Sequence, residues 1–178
     1  APGLSQIGMV TAAVWDDLDN DGKPDLLVVG EWMPITLCLQ KEGNKFGLQP
    51  MKDSEGWWNT LAAADFDKDG DTDFMIGNLG LNSRFKVSPQ EPMEVHAKDF
   101  DQNGSFDAVM SYFIKGKKVT VAGRDKLADQ MPLFRKNYKT YSDFAKLGFD
   151  DIFTDNILIN TVYKKAVHFE SSYLENLG

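Results

Sequence analysis

Asp65-Phe66-Asp67-Lys68-Asp69-Gly70-Asp71-Thr72-Asp73 puts a carboxylate on every odd position of nine residues and a glycine at the sixth. Oxygens at positions 1, 3 and 5 meet at one centre only if the chain curls tightly. The glycine permits that turn, and the backbone carbonyl at position 7 is then free to bind. This is the pattern of a calcium loop. Without a cation such carboxylates repel one another at a range where salt screens little. The pattern recurs in register as Asp17-Leu18-Asp19-Asn20-Asp21-Gly22-Lys23-Pro24-Asp25 and as Asp99-Phe100-Asp101-Gln102-Asn103-Gly104-Ser105-Phe106-Asp107. One copy reads equally well as a surface acidic turn. Three copies, each with oxygen-bearing side chains at 1, 3, 5 and 9, do not.

The flanks decide what kind of loop this is. A helix–loop–helix calcium site needs a bidentate Glu at position 12, and here that position is Val28, Ile76 and Met110. Apolar, β-rich runs follow each loop: Leu26 to Val29, Phe74 to Ile76, and Ala108 to Ile114. Others precede them: Val10 to Trp15, Leu61 to Ala64, and Met93 to Ala97. Short runs bounded by turn signals predict strands, so the unit is strand, loop, strand. In the first unit Ile35 to Gln40 reads as a third strand, Lys41-Glu42-Gly43-Asn44 as a turn and Lys45 to Leu48 as a fourth strand. Four antiparallel strands in about 45 residues make a blade of a β-propeller. The second unit is cut short after Gly80-Leu81-Asn82.

Composition fits that reading. With 42% apolar and 12% aromatic residues, the 178 residues suffice for a sizeable core. A net charge of −8 argues against nucleic acid, whose phosphates need a basic face. One divalent cation per loop would cancel six of those eight charges. Cys38 is the only cysteine, which excludes an intrachain disulfide. No stretch approaches the ~20 apolar residues of a membrane span, and no signal peptide is recognisable. The chain opens at Ala1-Pro2-Gly3, as a processed or truncated product does.

The Asp-rich loop between two strands resembles the FG-GAP/VCBS repeat, which builds calcium-binding β-propellers such as integrin α-subunit heads and many bacterial surface or secreted proteins. Gly30-Glu31-Trp32-Met33-Pro34, Gly56-Trp57-Trp58-Asn59 and Gly77-Asn78-Leu79-Gly80-Leu81-Asn82 are similar to segments of bacterial VCBS-repeat proteins of the ASPIC/UnbV-associated type. The resemblance covers about residues 8–122. It implies calcium bound by Asp17, Asp19, Asp21 and Asp25 with the Lys23 carbonyl, the Lys23 side chain pointing to solvent. It implies Asp65, Asp67, Asp69 and Asp73 with the Asp71 carbonyl in the second loop. In the third it implies Asp99, Asp101, Asn103 and Asp107 with the Ser105 carbonyl. Asn103 removes one charge, so the third site is expected to be the weakest of up to three Ca²⁺ sites.

After Gly123 the grammar changes. Asp125 to Met131 predicts a short helix checked by Pro132. Thr140 caps a second helix over Tyr141 to Leu147, with Gly148 as its stop, and Asp150 to Phe153 adds a turn. This segment reads as an insertion on the propeller flank, or as a lid. Val167 to Leu174 then alternates like a strand. The spacing from Leu174 to Gly178 repeats that from Leu39 to Gly43, so the chain is expected to stop inside a further blade of a longer parent.

The expected architecture is therefore mainly β. It is a partial propeller of about three four-stranded-type blades over residues 1–122, a helical insertion over 123–160, and a strand of a truncated blade over 161–178. Open blade edges point to a homodimer or to an edge covered by the helical segment. Trp57 and Trp58 are either a sugar-stacking platform or a pair split between core and surface, while Trp15 and Trp32 read as packing. His96 and His168 have no partner at zinc-ligand spacing. Arg124-Asp125 after Gly123 is not the integrin-recognition tripeptide. Phosphate loops and nucleophile signatures are missing from the sequence. A paired-carboxylate glycosidase does not explain the loop spacing. The reading is a non-catalytic, extracytoplasmic calcium scaffold that binds a protein or glycan at the cell surface. The alternative is the propeller part of a calcium-dependent polysaccharide lyase or hydrolase.

Overall fold

The computed structural model describes residues 3–43 and 45–177. Ala1, Pro2, Asn44 and Gly178 lie outside the described residues, so the opening tripeptide, the Lys41–Asn44 turn and the last glycine are compared only in part. In chain order the strands are β1 (Met9–Asp16), β2 (Asp25–Met33), β3 (Thr36–Lys41), β4 (Lys45–Pro50), β5 (Gly56–Trp57), β6 (Thr60–Ala64), β7 (Asp73–Gly77), β8 (Met93–Lys98), β9 (Asp107–Ile114) and β10 (Lys117–Thr120). Short helices follow: α1 (Arg124–Gln130), α2 (Phe134–Asn137), α3 (Tyr141–Phe144), α4 (Phe149–Ile152) and α5 (Asp155–Leu158). The chain closes with β11 (Val162–Ala166) and β12 (Ser172–Leu174). The fold is mainly β, and the named strands pair antiparallel where their register is defined.

Two compact units divide the chain. One joins Ala1–Arg84 to Ala166–Gly178, and the other is Phe85–Lys165. These boundaries differ from the expected ones at 122 and 160. The physical reason is a shared core: Val109 of β9 is buried in one cluster with Leu127, Met131, Phe134, Phe149 and Phe153 of the helical segment. The helices therefore belong to the same unit as the third loop's sheet.

In the first unit β1-β2-β3-β4 form a meander, with β5 also pairing β2. The continuous apolar run of β2 is explained by burial on both faces. Leu27 and Val29 join Ile35, Trp58, Phe74 and Ile76 on one side, while Val28 joins Met33 and Cys38 on the other. That is the two-residue period of a strand. Trp58 is fully buried, donates its indole N–H to the Ser54 carbonyl at 2.8 Å and stacks on His168. Trp57 is half-buried between Trp32 and Phe169, with ring centres 5.0 and 5.3 Å away. The two tryptophans are thus split, Trp58 into the core and Trp57 into a half-buried position among aromatic rings. Trp15, expected in the packing, is 58% exposed and lies beside Phe46.

The second sheet of this unit, β12-β7-β6, overturns the expectation of a truncated further blade. β12 pairs with β7 through Phe74↔Leu174, just as β3 pairs with β2 through Leu26↔Cys38. Phe74 and Leu26 each follow the ninth loop residue. So β12 is the third strand of the second sheet, and the other unit is inserted where the first sheet has a tight connection. Cys38, one residue before Leu39, is the true counterpart of Leu174. The entry and exit of the insertion are stitched together. Gly80 N–H donates to the Phe169 carbonyl at 2.8 Å, and the Asn78 side chain donates to the His168 carbonyl at 3.0 Å. Of the predicted strand from Val167, only Ser172–Leu174 is regular.

In the second unit the sheet order is β10-β9-β8-β11. The predicted helices appear as α1, α3 and α4, but α3 ends at Phe144 instead of Leu147, and Gly148 stands at the N-cap of α4 instead of stopping α3. Thr140 caps α3 by accepting the Asp143 N–H.

Candidate metal centres

Each Asp-rich stretch is the tip of a hairpin: β1/β2, β6/β7 and β8/β9. Positions 1, 3 and 9 come together in all three. Asp17, Asp19 and Asp25, then Asp65, Asp67 and Asp73, then Asp99, Asp101 and Asp107 each bring one carboxylate oxygen within 4.8 Å of the others. The ninth residue opens the following strand and is buried: Asp25 and Asp73 at 0% exposure and Asp107 at 4%. In every copy its Oδ2 accepts the N–H of position 2 at 3.1 Å, from Leu18, Phe66 and Phe100. That bond closes the loop at its base.

The backbone repeats as closely. Position 6 is Gly22, Gly70 and Gly104 with φ of 81°, 105° and 90°. A side chain is strained there, which explains the glycine. Position 4 is also left-handed, at Asn20, Lys68 and Gln102, with φ of 56°, 67° and 61°. The sequence reading missed this position because three unlike residues occupy it. Asn is the only one of the three with a known preference for that region.

At position 5, Asp21 and Asp69 lie outside the converging carboxylate groups. Asp21 Oδ1 accepts the Lys23 N–H at 2.9 Å, Asp69 Oδ1 the Asp71 N–H at 3.2 Å, and Asn103 Oδ1 the Ser105 N–H at 2.8 Å. The Lys23 ammonium, expected in solvent, folds back onto Asp21 and holds that carboxyl below its usual range. The residues at position 7 are placed by these bonds. The Asp71 side chain has a buried oxygen with no hydrogen-bond partner among the described residues.

The second loop carries the strongest opposition of charges. Burial and the neighbouring Asp69 and Asp73 carboxylates push Asp67 and Asp71 up. Asp73 moves the other way, because the Tyr173 hydroxyl donates to it at 2.7 Å, with further help from the N–H groups of Asn176 and Phe66. Tyr173 is raised in return. The donor set is all oxygen, three carboxylates per centre, and fits a hard divalent cation better than zinc or copper.

These contacts rank the loops. Asp65→Ala removes a converging carboxylate and is expected to weaken cation binding at its loop about tenfold or more, whereas Asn103→Ala stays within about threefold, since charge count tunes affinity. Calorimetric titration of the two variants decides it, and equal losses would discredit the ranking.

Neither histidine belongs to a group of ligands among the described residues. His168 Nε2 is 3.2 Å from the Ser172 hydroxyl. His96 is buried on β8 between Phe149 and Tyr163. Its Nδ1 lies 3.2 Å from the Thr161 hydroxyl, which donates to the Leu158 carbonyl at 3.0 Å. The hydroxyl's one proton is thus used, so Nδ1–H is the donor and Nε2 stays unprotonated. Burial pushes the imidazole down, Lys118 adds to this, and Glu94 and Asp150 oppose it. Below about pH 6.5 the unfolded chain binds a proton that the folded unit resists, so stability falls with pH toward the lowered folded value. Hydrogen exchange of β8 and β9, corrected for intrinsic rates, should accelerate from pH 7 to pH 5, and His96→Phe should flatten that dependence.

Among the described residues no helix is long and apolar enough to cross a membrane. Residues 17–76 match the family model described as FG-GAP-like repeat. The match takes in the first two loops and leaves the third outside it, and it names no more specific family. No curated protein and no solved structure matches the chain.

Proposed function

We propose that the three loops hold calcium and that this FG-GAP-like chain is a non-catalytic, propeller-like scaffold presenting a binding surface to a protein or glycan. The convergence of three carboxylates at each of three hairpin tips carries the reading. The ion acts structurally by tying two strands through one loop. Its setting would be extracytoplasmic, where sites of roughly 10⁻⁴–10⁻³ M affinity are useful. A bacterial VCBS-repeat surface protein is the parent this reading favours.

Calorimetry should detect three calcium sites, with magnesium binding far more weakly because it demands a smaller octahedral shell. Anomalous scattering from calcium-soaked crystals should locate each ion among oxygens at ~2.3–2.6 Å. Failure to take up calcium would overturn the metal half of the proposal. A glycan array paired with an absorbance assay on uronic-acid polymers tests the other half. Binding without unsaturated product is expected, and product formation would point to a lyase.

A further inference from the structure

We infer that cation binding in the third loop and docking of the helical segment 124–158 are coupled through Phe100. The inference rests on the proposal that this loop takes a divalent cation. Phe100 sits between two of the converging carboxylates, Asp99 and Asp101, and its N–H donates to the third, Asp107. Its ring packs against the buried cluster of helical residues, 5.5 Å from the Phe153 ring. Phe153 in turn stacks on Phe149, 5.1 Å away, and on Phe134, 6.5 Å away. Asp101 itself borders a cavity of about 230 Å³ with Phe134, Tyr138, Phe153 and Ile157. The loop that would grip the ion therefore forms part of the wall on which the helices rest.

The helices are poised to respond. They run to seven residues in α1 and four in each of the others. Isolated helices shorter than about 12–15 residues are marginal in water, so these exist by virtue of their packing. Without a cation the three carboxylates repel, and relaxing them moves the residue between them. With a cation the loop, and Phe100 with it, is held. Coupling free energies are reciprocal, so the docked helices must also strengthen cation binding by the same factor. The other loops lack this link. Leu18 packs between the two sheets of the first unit, and Phe66 is 41% exposed beside Tyr173.

The test is hydrogen exchange by mass spectrometry on the full chain, in calcium and in EDTA, alongside calcium calorimetry. In the unmodified chain calcium should slow exchange in α1, α2 and α4 by about tenfold, within the usual range of coupling. In Phe100→Ala the third site should weaken by a similar factor and the helices should exchange alike with and without calcium. Phe66→Ala should leave the helical response intact. Should Phe100→Ala undock the helices altogether, Phe100→Leu decides, with a reduced but measurable response expected. Three calcium ions bound with no change in helical exchange would overturn the coupling and leave the proposed function standing. A full response in Phe100→Ala or Phe100→Leu would also overturn it. No calcium bound by the unmodified chain would overturn both.

Discussion

With calcium in the proposed sites, about 10 mM of it should raise the unfolding midpoint of this chain by roughly 10 °C or more per occupied site, and EDTA should reverse the rise. The magnitude follows from mass action. A ligand that binds only the folded form at about 100 times its dissociation constant stabilises it by about 2.7 kcal/mol. Each kcal/mol moves the midpoint of a domain of 60–100 residues by about 4–8 °C. The first unit contains two loops and the second contains one. The first unit should therefore shift further, and the melting curve should separate into two steps as calcium rises. Burial, and after it the neighbouring Asp69 and Asp73 carboxylates, raises the Asp67 and Asp71 carboxyls of the second loop, and a bound cation would offset that cost. A midpoint indifferent to both calcium and EDTA would remove the thermodynamic support for metal sites.

Asp25→Ala destabilises the first unit by about 2–6 kcal/mol in EDTA, with no cation involved. Asp25 is fully buried. It accepts the Leu18 N–H at 3.1 Å and the Gln40 N–H at 2.6 Å, joining the loop base to β3. Alanine leaves both donors without an acceptor, at about 1–3 kcal/mol each when buried. Asp25→Asn keeps one acceptor oxygen and should lose about half as much. Urea unfolding followed by tryptophan fluorescence reports this unit directly, because Trp15, Trp32, Trp57 and Trp58 all lie within it. The second sheet offers a parallel, in which the same position, Asp73, accepts the Asn176 N–H at 3.0 Å. A cost below about 0.5 kcal/mol, the range of ordinary surface changes, would show that the ninth position serves the ion alone.

These two expectations draw on different kinds of information. The three loops, their glycine turns and the strands beside them were legible in the sequence, because a ligand pattern and a hairpin tip are settled within nine residues and their flanks. The mainly β character followed from the same flanks. The division of labour inside the loop was not legible. An Asp at position 5 looks the same as one at position 3 in sequence, and only the curl of the folded loop brings Asp19 and Asp67, but not Asp21 and Asp69, into the group that includes the buried ninth carboxylate.

The larger departures are non-local. Ser172–Leu174 looked like the start of something new and is the missing third strand beside β7. Its partner lies about a hundred residues earlier, and it is selected by mutual burial with Phe74 and Ile76 together with the Tyr173 and Asn176 bonds to Asp73. Closing so long a connection costs little more than closing a shorter one, since the entropy grows only with the logarithm of length. The helical segment likewise gave its cap and its helix starts in sequence, but its allegiance to Val109 and Phe100 came from packing. The amino-acid order by itself determined where cations can be gripped, because that chemistry is local. Which strands complete each sheet, and which loop supports the helices, was decided by the tertiary structure, because apolar surface is buried by whichever distant partner fits it.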